Sequence, residues 1–444
     1  MEGLLSHSLP HHFTQAQVYN EPIMATRTLT PAAEMSAAAR GAPRKRGFTS
    51  ISRSSYSSSS SGSSSFDDDI IDIPEVLDSS ETLQFCGLNA EVSNRIFESW
   101  QQFQQTPGEL GYGMSIFGEA KHFVKRMAER EDAWLPEHDW RCALTGMGAD
   151  QRLCDAILNS AFDDVRKTRS ASYWVLDTLN IGSEFLEGLD KRIRKKQEEM
   201  RHLATPSPSI QPRPAISNRP GLLGTYREPS VLRTATISAI PSAIEGRTML
   251  FKGGAMTRLL SAFQNDGSIV VRPLQSASPT DFHRDSNYLV YLTKHLDVAE
   301  KYARFVQSRV PPEEGVILQF AVPSELLEDH RQIFGSEWRD LVFWSRGDSG
   351  SETVPAHLTR FAEAPILIGY IYGMSNEGIG RLSNPSDLTG QYMKTRDGGN
   401  ASQHVFQTQA IRTQLVEQCR GWVWYQSMRY AGDFALRFMP HNEA

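Results

Sequence analysis

The sequence predicts an α+β fold in its C-terminal half, preceded by an all-helical region and by a polar segment that is not expected to fold. Three observations support this: a serine-rich beginning, helical periodicity over about residues 83–203, and short alternating strand and helix patterns over about residues 247–430. Strand patterns separated by turn residues, as in residues 373–385, favour a mostly antiparallel sheet with peripheral helices over a doubly wound fold.

Residues 1–80 are rich in Ser, Pro and charged residues, and a serine run over residues 57–65 is broken only by Gly62. Such a segment cannot bury enough apolar area to offset the entropy lost on folding, so we expect a disordered tail. Three aspartates follow the serines, at residues 67–69, which is typical of a phospho-acceptor segment. The proline-rich residues 204–246 predict an extended linker, and residues 431–444 a second tail.

Composition and charge exclude several classes of protein. The 444 residues carry a formal net charge of −6, which argues against DNA as the main partner, because phosphate binding needs clustered Lys and Arg. No apolar stretch is long enough to span a bilayer, and the first residues lack the pattern of a signal peptide. We therefore expect neither a membrane nor secretion, and an intracellular location, cytoplasmic or nuclear. The four cysteines have no metal-ligand spacing, so no metal site is predicted.

Residues 83–203 repeat apolar side chains at helical spacing, as in Val92, Ile96 and Phe103, and predict a bundle of about five helices. Trp134, Trp140 and Trp174 are interpreted as core residues, since no polar groups accompany them at a spacing typical of a ligand site. No catalytic pattern occurs in this region, and a protein partner is its expected ligand. The number of protomers in the assembly is not predicted.

The C-terminal region, residues 247–430, contains the strand and helix patterns of the α+β fold. Strands are predicted at residues 248–251, 268–272, 288–292, 316–322, 366–372 and 404–406, and helices at 296–307, 324–330 and 408–418. The aromatic segment 421–430 predicts a last edge strand, with residues 434–439 packed beside it. Neither a GxGxxG motif after a strand nor a GxxxxGK[ST] motif is present, so Rossmann and P-loop nucleotide binding are not supported.

The junction between the strand at 288–292 and the following helix is the most informative part of the chain. The strand is aromatic and β-branched, while Ala299, Tyr302, Ala303 and Val306 form one apolar helix face. A small ligand could be held where the strand meets the helix, and the same pattern is also typical of two elements that only contribute to a core.

Four segments, in their order, resemble the ADP-ribosyltransferase-like superfamily, and in particular an uncharacterised branch with DFxxGFYxT and QxxFxT motifs. They are MLFKGG at residues 249–254, Asp281-Phe282 followed by YLT at 291–293 and the Ala299, Tyr302, Ala303 helix, ILIGYIYG at 366–373, and SQHVFQTQAI at 402–411. The resemblance implies a split β-sheet that clamps NAD, and it covers only the C-terminal half of the chain.

The resemblance also implies roles for individual residues. Lys252 and Gly253 stand in the first strand, where the family has Arg or His followed by Gly, and Lys252 could attract a phosphate as a point charge. Tyr291 could stack on the nicotinamide ring, and Thr293 could offer its hydroxyl to a ribose or to neighbouring backbone. Both could equally be structural residues.

The catalytic position of the family is occupied by Gln403 where a glutamate is expected. An amide carries no charge and cannot act as a general base, so catalysis is in question. Glu337, in the segment SEWRDLVFWSR, could supply the carboxylate if that segment were a loop folded over the cleft, with Trp338 and Arg346 lining the same pocket.

Two hypotheses follow from this pattern. The first is an enzyme that binds NAD as its substrate and transfers or hydrolyses ADP-ribose. The alternative is a catalytically inactive module, a pseudoenzyme of the same fold, that binds a protein or a nucleotide.

Overall fold

The computed structural model describes residues 48–52, 70–105, 114–204, 234–237, 241–264, 266–286, 288–347, 353–428 and 435–438. Over these residues the chain is mixed α and β, with seven α-helices before residue 205 and a large sheet in the C-terminal half. The serine run, most of the proline-rich segment and most of the C-terminal tail lie outside the described residues. No helix in the described part of the chain is long and apolar enough to cross a membrane.

The helical unit, residues 80–204, contains more and shorter helices than the predicted five. Three of the short helices begin at side chains that cap them: Ser79, Asp139 and Asp150 each accept a hydrogen bond from the backbone N–H three residues later. The helices are α1 (Ser80–Phe85), α2 (Ala90–Gln105), α3 (Ile116–Ala128), α4 (Trp140–Gly146), α5 (Gln151–Ile157), α6 (Asp163–Arg166) and α7 (Ala171–Ala204).

Helix α7 is the longest element of the unit and packs against α3 and α4. Trp140 and Trp174 are buried in the common core, as predicted, whereas Trp134 is only half-buried. Two strands precede the unit where the sequence predicts only a tail: β1 (Phe48–Ser52) pairs with β2 (Ile70–Pro74) in an antiparallel sheet. Part of the predicted tail therefore forms strands that precede the helical unit.

The C-terminal half forms one nine-stranded sheet of order β3-β11-β10-β6-β4-β5-β9-β8-β7, in which only β7 and β8 are parallel. The strands are β3 (Thr234–Ile237), β4 (Arg247–Ala255), β5 (Val290–Thr293), β6 (Gly315–Pro323), β7 (His330–Gln332), β8 (Ile366–Tyr370), β9 (Ser402–Phe406), β10 (Val423–Ser427) and β11 (Ala435–Phe438). The helices are α8 (Met256–Leu260), α9 (Leu296–Arg309), α10 (Gly335–Arg346), α11 (Thr359–Ala362), α12 (Asn376–Ile379) and α13 (Gln409–Gln418). The predicted mostly antiparallel sheet is thus confirmed.

Four predicted elements differ from the structure. Residues 268–272 form no strand, because only Ile269 makes a bridge, to Phe263, before a 3-10 turn begins. The predicted helix 324–330 is a short 3-10 turn followed by β7. The segment SEWRDLVFWSR is helix α10 and not a loop. Strand β10 is not an edge strand, since it lies between β11 and β6.

The sheet is split between its two central strands. Strand β4 pairs with β6 over nine residue pairs, but with β5 only at Phe251 and Thr293. Beyond that pair the two strands diverge, and a cleft opens between them.

Helix α9 packs closely on the side of the split formed by β4 and β6. A Cβ atom built on Gly253 would lie 1.8 Å from the carbonyl oxygen of Ala299, and one on Gly315 would lie 2.1 Å from that of Ala303. Only glycine permits this approach of the helix backbone to the strands.

The helical unit and the C-terminal half share a core and a set of buried charges. Val298 and Phe305 of α9 belong to the hydrophobic cluster of the helical unit. Arg309 of α9 is 1% exposed and forms an ion pair at 2.7 Å with Asp177 of α7. Arg258 of α8 adds ion pairs to Asp177 and to Glu184. The two regions therefore pack as one body at this interface.

Candidate functional site

A cavity of about 500 Å³ lies where the sheet splits. Its floor is formed by β4, β5 and β9, and its walls include α9 and residues 168–181 of the helical unit, which pack against each other. Five of the residues that the sequence proposes for the site line this cavity together: Lys252, Gly253, Tyr291, Thr293 and Gln403. A volume of this size is within the ordinary range of small-molecule sites.

The cavity is positively charged, although the chain as a whole is acidic. Six basic side chains line it, against two acidic ones, Asp177 and Asp281. The six are Arg169, Lys252, Arg258, Arg272, Arg309 and Arg346. The lining therefore favours an anionic ligand.

Half of these cations are neutralised within the protein. Arg258 and Arg309 pair with Asp177, and Arg346 pairs with Asp281. Burial acts to raise the pKa of Asp177, but the two arginines outweigh burial and lower it below its ordinary value. The remaining three, Arg169, Lys252 and Arg272, form no ion pair with any carboxylate of the described residues. They are the charges available to a ligand.

Gln403 and Asp281 form a hydrogen-bonded pair at the centre of the site. The register of β5 and β9 places Gln403 opposite Thr293, and its Nε2 donates to Oδ2 of Asp281 at 2.7 Å and weakly to the carbonyl oxygen of Tyr370. Both neighbours are acceptors, so the amide nitrogen must point towards them. Oε1 is then the amide atom that makes no hydrogen bond within the described residues.

Asp281 is held on its other side by Arg346 of α10. The guanidinium donates to Oδ1 of Asp281 and also to the carbonyl oxygens of Thr168 and Met374, and its Nε donates to Asn376. Burial lowers the pKa of Arg346, and the Asp281 charge opposes this shift. The carboxylate is thus ion-paired and only 11% exposed.

Lys252 has a structural contact at the split. Its Nζ donates to the carbonyl oxygen of Tyr291 at 3.3 Å, an acceptor that the divergence of β4 from β5 leaves without a ladder partner. Burial, and after it the nearby Arg258, lowers the pKa of this ammonium group to about 8. An ammonium group has three N–H donors, so two remain for a ligand.

The other three predicted ligand residues are mainly structural in their contacts. Thr293 donates its hydroxyl to the carbonyl oxygen of Ser402 at 2.8 Å, which is the backbone role considered for it. Gly253 contacts helix α9. The ring of Tyr291 is half-buried and lies 6.4 Å from that of Phe282, and burial raises the pKa of its hydroxyl.

Glu337 is not part of the site, and this prediction is wrong. It lies in the first turn of α10, has a side chain that is 40% exposed, does not line the cavity, and forms an ion pair with Arg360. The segment is helix α10 and not the loop on which this prediction depended. Trp338 is fully buried and does not line the cavity, whereas Arg346, at the other end of the helix, lines it.

The sequence missed the contribution of the helical unit. Arg169, Tyr173 and Asp177 line the cavity from this side. They occur in an ordinary amphipathic pattern around the start of α7, and no spacing distinguishes them from surface or core residues. Asp281 carried a signal, since it begins the Asp-Phe motif, although no role was assigned to it.

A scan of protein-family models, a search of curated proteins and a search of solved structures return no match to this chain.

Proposed function

We propose that this chain is an ADP-ribosyltransferase-like protein that binds NAD in the cavity at the split of the sheet. The observation that carries the proposal is the divergence of β4 and β5 after a single residue pair, which opens a cavity on Lys252, Tyr291 and Gln403. The resemblance of the sequence implies such a split sheet, and it assigns these same three residues to the NAD site.

The charge of the cavity supports a ligand with a diphosphate. NAD carries two phosphate groups between its nucleosides, and the three cations without a carboxylate partner, Arg169, Lys252 and Arg272, can bind them with charge-assisted hydrogen bonds. A neutral ligand of the same size would leave these charges uncompensated.

The central pair supports a ribose near Gln403. Since Nε2 is committed to Asp281, Oε1 is available to accept a hydrogen bond from a sugar hydroxyl. The half-buried ring of Tyr291 provides an aromatic surface on the same strand face as Thr293. The two groups suit a nicotinamide riboside placed at the split.

The same contacts favour binding over fast cleavage. Breaking the bond between nicotinamide and ribose develops positive charge on the sugar, which an uncompensated carboxylate stabilises best. Both carboxylates of the cavity, Asp177 and Asp281, are already paired with arginine, and Gln403 is neutral. We therefore propose a nucleotide-binding pseudoenzyme as the main function.

Transfer or hydrolysis of ADP-ribose is the second candidate. It is favoured by the position of Asp281, whose carboxylate lies 2.7 Å from the amide of Gln403, the residue at the position that the resemblance implies is catalytic. Release of nicotinamide separates this candidate from simple binding.

Calorimetric titration of NAD into the full chain tests the proposal. Lys252→Met removes a cavity charge and keeps most of the side-chain stem, while Lys294→Met removes an exposed charge just outside the cavity as a matched control. We expect saturable binding to the wild type and the control, and about tenfold or greater weakening in Lys252→Met. Thermal unfolding of each variant verifies that it is folded. Absence of NAD binding to the folded wild type would falsify the proposal, and nicotinamide release would establish the second candidate.

A further inference from the structure

We propose that the helical unit is part of the ligand site, and that it binds the phosphate groups of the ligand through Arg169. This inference rests on the proposed function, because it names a residue of the same cavity. It gives a binding role to a region in which the sequence shows no ligand pattern.

Arg169 is placed where the helical unit faces the cavity. It lies in the turn between α6 and α7, at the edge of the helical unit that faces the split sheet, and it lines the cavity together with Tyr173. One of its N–H groups donates to the carbonyl oxygen of Pro279 at 3.3 Å, two residues before Asp281. The guanidinium thus reaches across the interface from the helical unit to the loop that carries the central carboxylate.

Arg169 is oriented but not neutralised. Its guanidinium carbon lies 5.0 Å from the centre of the Tyr173 ring, and this contact together with that to Pro279 limits its orientation. Neighbouring arginines are different: Arg166 pairs with Asp163, and Arg309 pairs with Asp177. No carboxylate of the described residues pairs with Arg169.

An oriented guanidinium with free N–H groups is suited to a phosphate. Its planar fork can donate two parallel hydrogen bonds to phosphate oxygens, which a lysine cannot do. Its charge also acts on the site already, because it contributes to lowering the pKa of Arg346 after the effect of burial. A bound dianion would relieve the repulsion between these two arginines, and this adds to the preference for an anionic ligand.

The structure also indicates why both regions are needed. The cavity has its floor in the sheet and one wall in residues 168–181, so the C-terminal half alone would present an open cleft with that wall missing. Arg169 is the one cation of this wall, since the other lining cations belong to residues after 250. A ligand with a diphosphate would therefore be held from both sides.

Titration of the full chain with NAD, ADP-ribose and adenosine tests the inference. Arg169→Ala is compared with Arg169→Lys and with Lys167→Ala, a control two residues away whose partner is Asp163. We expect Arg169→Ala to weaken NAD and ADP-ribose by about 10- to 100-fold, Arg169→Lys to recover part of the loss, and Lys167→Ala to have no effect. Any affinity for adenosine, which has no phosphate, should be equal in all variants. The thermal unfolding midpoint of each variant establishes that it is folded.

The outcomes separate this inference from the proposed function. If NAD binds the wild type and Arg169→Ala binds it within twofold as tightly, the inference fails and the proposed function stands. If ADP-ribose binds but NAD does not, the proposed function fails, and the same variants titrated with ADP-ribose still decide the role of Arg169. If neither nucleotide binds, both proposals are overturned.

Discussion

Replacement of Arg309 by Met should weaken the interface between the helical unit and the sheet by breaking its most buried ion pair. Arg309 is 1% exposed, and its guanidinium donates to Asp177 at 2.7 Å, to the Thr178 hydroxyl at 2.8 Å and to the carbonyl oxygen of Trp174. All three partners lie on α7, whereas Arg309 ends α9. Methionine keeps the apolar stem but leaves the buried Asp177 carboxylate with Arg258 alone.

The expected loss follows from these contacts. Removal of one partner from a buried pair typically costs about 3–5 kcal/mol. Arg258 remains 3.3 Å from Asp177, so we take the lower end, about 3 kcal/mol. The guanidinium also lies 4.8 Å from the centre of the Trp174 ring, and loss of this cation–π contact adds roughly 1 kcal/mol. We expect a decrease of about 3–4 kcal/mol in the free energy of unfolding.

Urea unfolding followed by tryptophan fluorescence measures this change. Arg304→Met on the same helix is the control, because its pair with Glu300 is exposed and should contribute less than about 1 kcal/mol. The double variant Asp177→Asn, Arg309→Met should lose less unfolding free energy than the sum of the two single variants, because it no longer contains the buried Asp177 carboxylate that Arg309→Met leaves without its partner. A loss below about 1 kcal/mol for Arg309→Met would refute the view that this buried pair holds the two regions together.

Three further changes test other parts of the structure. Gly253→Ala should lower the free energy of unfolding in urea by about 3 kcal/mol or more, because its Cβ would meet the α9 backbone. Gly254→Ala should lower it by only about 1 kcal/mol, because its Cβ meets a flexible leucine side chain at 3.1 Å; equal losses would contradict the close packing. Gln403→Glu would place a second carboxylate beside Asp281, so the decrease in the thermal midpoint that it causes should be larger at pH 8 than at pH 5. A decrease that is the same at both pH values would contradict the observed contact of residue 403 with Asp281. Burial raises the pKa of Glu313 from 4.5 to about 7, so the folded chain binds more protons than the unfolded chain between these pH values. The free energy of unfolding should therefore fall as pH rises from 4.5 to about 7, and Glu313→Gln should flatten this part of the pH–stability curve.

The sheet was largely predictable from sequence because the residue types that favour each strand lie next to one another in the chain. Strand β6 is an apolar run interrupted only by Gln319, and β5 and β8 are aromatic and β-branched, so their existence follows from residue type. Helix α10 was missed although Trp338, Leu341 and Val342 recur at i, i+3 and i+4, a helical spacing that the sequence does contain. Residues 268–272 were misassigned because β propensity does not ensure that a segment finds a pairing strand.

The site was only partly predictable because its contacts join distant parts of the chain. The resemblance predicts one site for Lys252, Tyr291 and Gln403, and in the structure all three line one cavity. The hydrogen bond between Gln403 and Asp281 joins residues 122 positions apart, and the contact of Arg169 with Pro279 joins residues 110 apart. Such pairings depend on tertiary packing, which periodicity and residue type do not encode locally.

The buried charges at the interface also bear on how a ligand enters. Separating the helical unit from α9 would expose Arg309 and Asp177 and disrupt a shared apolar core, so this wall is not expected to move as a lid. The exposed part of the cavity lining is instead near Arg272 and Ala277, on the segment before β5. An anion would meet the Arg272 charge first and then move inward to the half-buried Arg169 and Lys252. Association should therefore depend on ionic strength through Arg272, and Arg272→Ala should slow binding of NAD more than it speeds release in stopped-flow measurements. A larger effect on release than on association would show instead that Arg272 acts mainly through its contact with the bound phosphate groups.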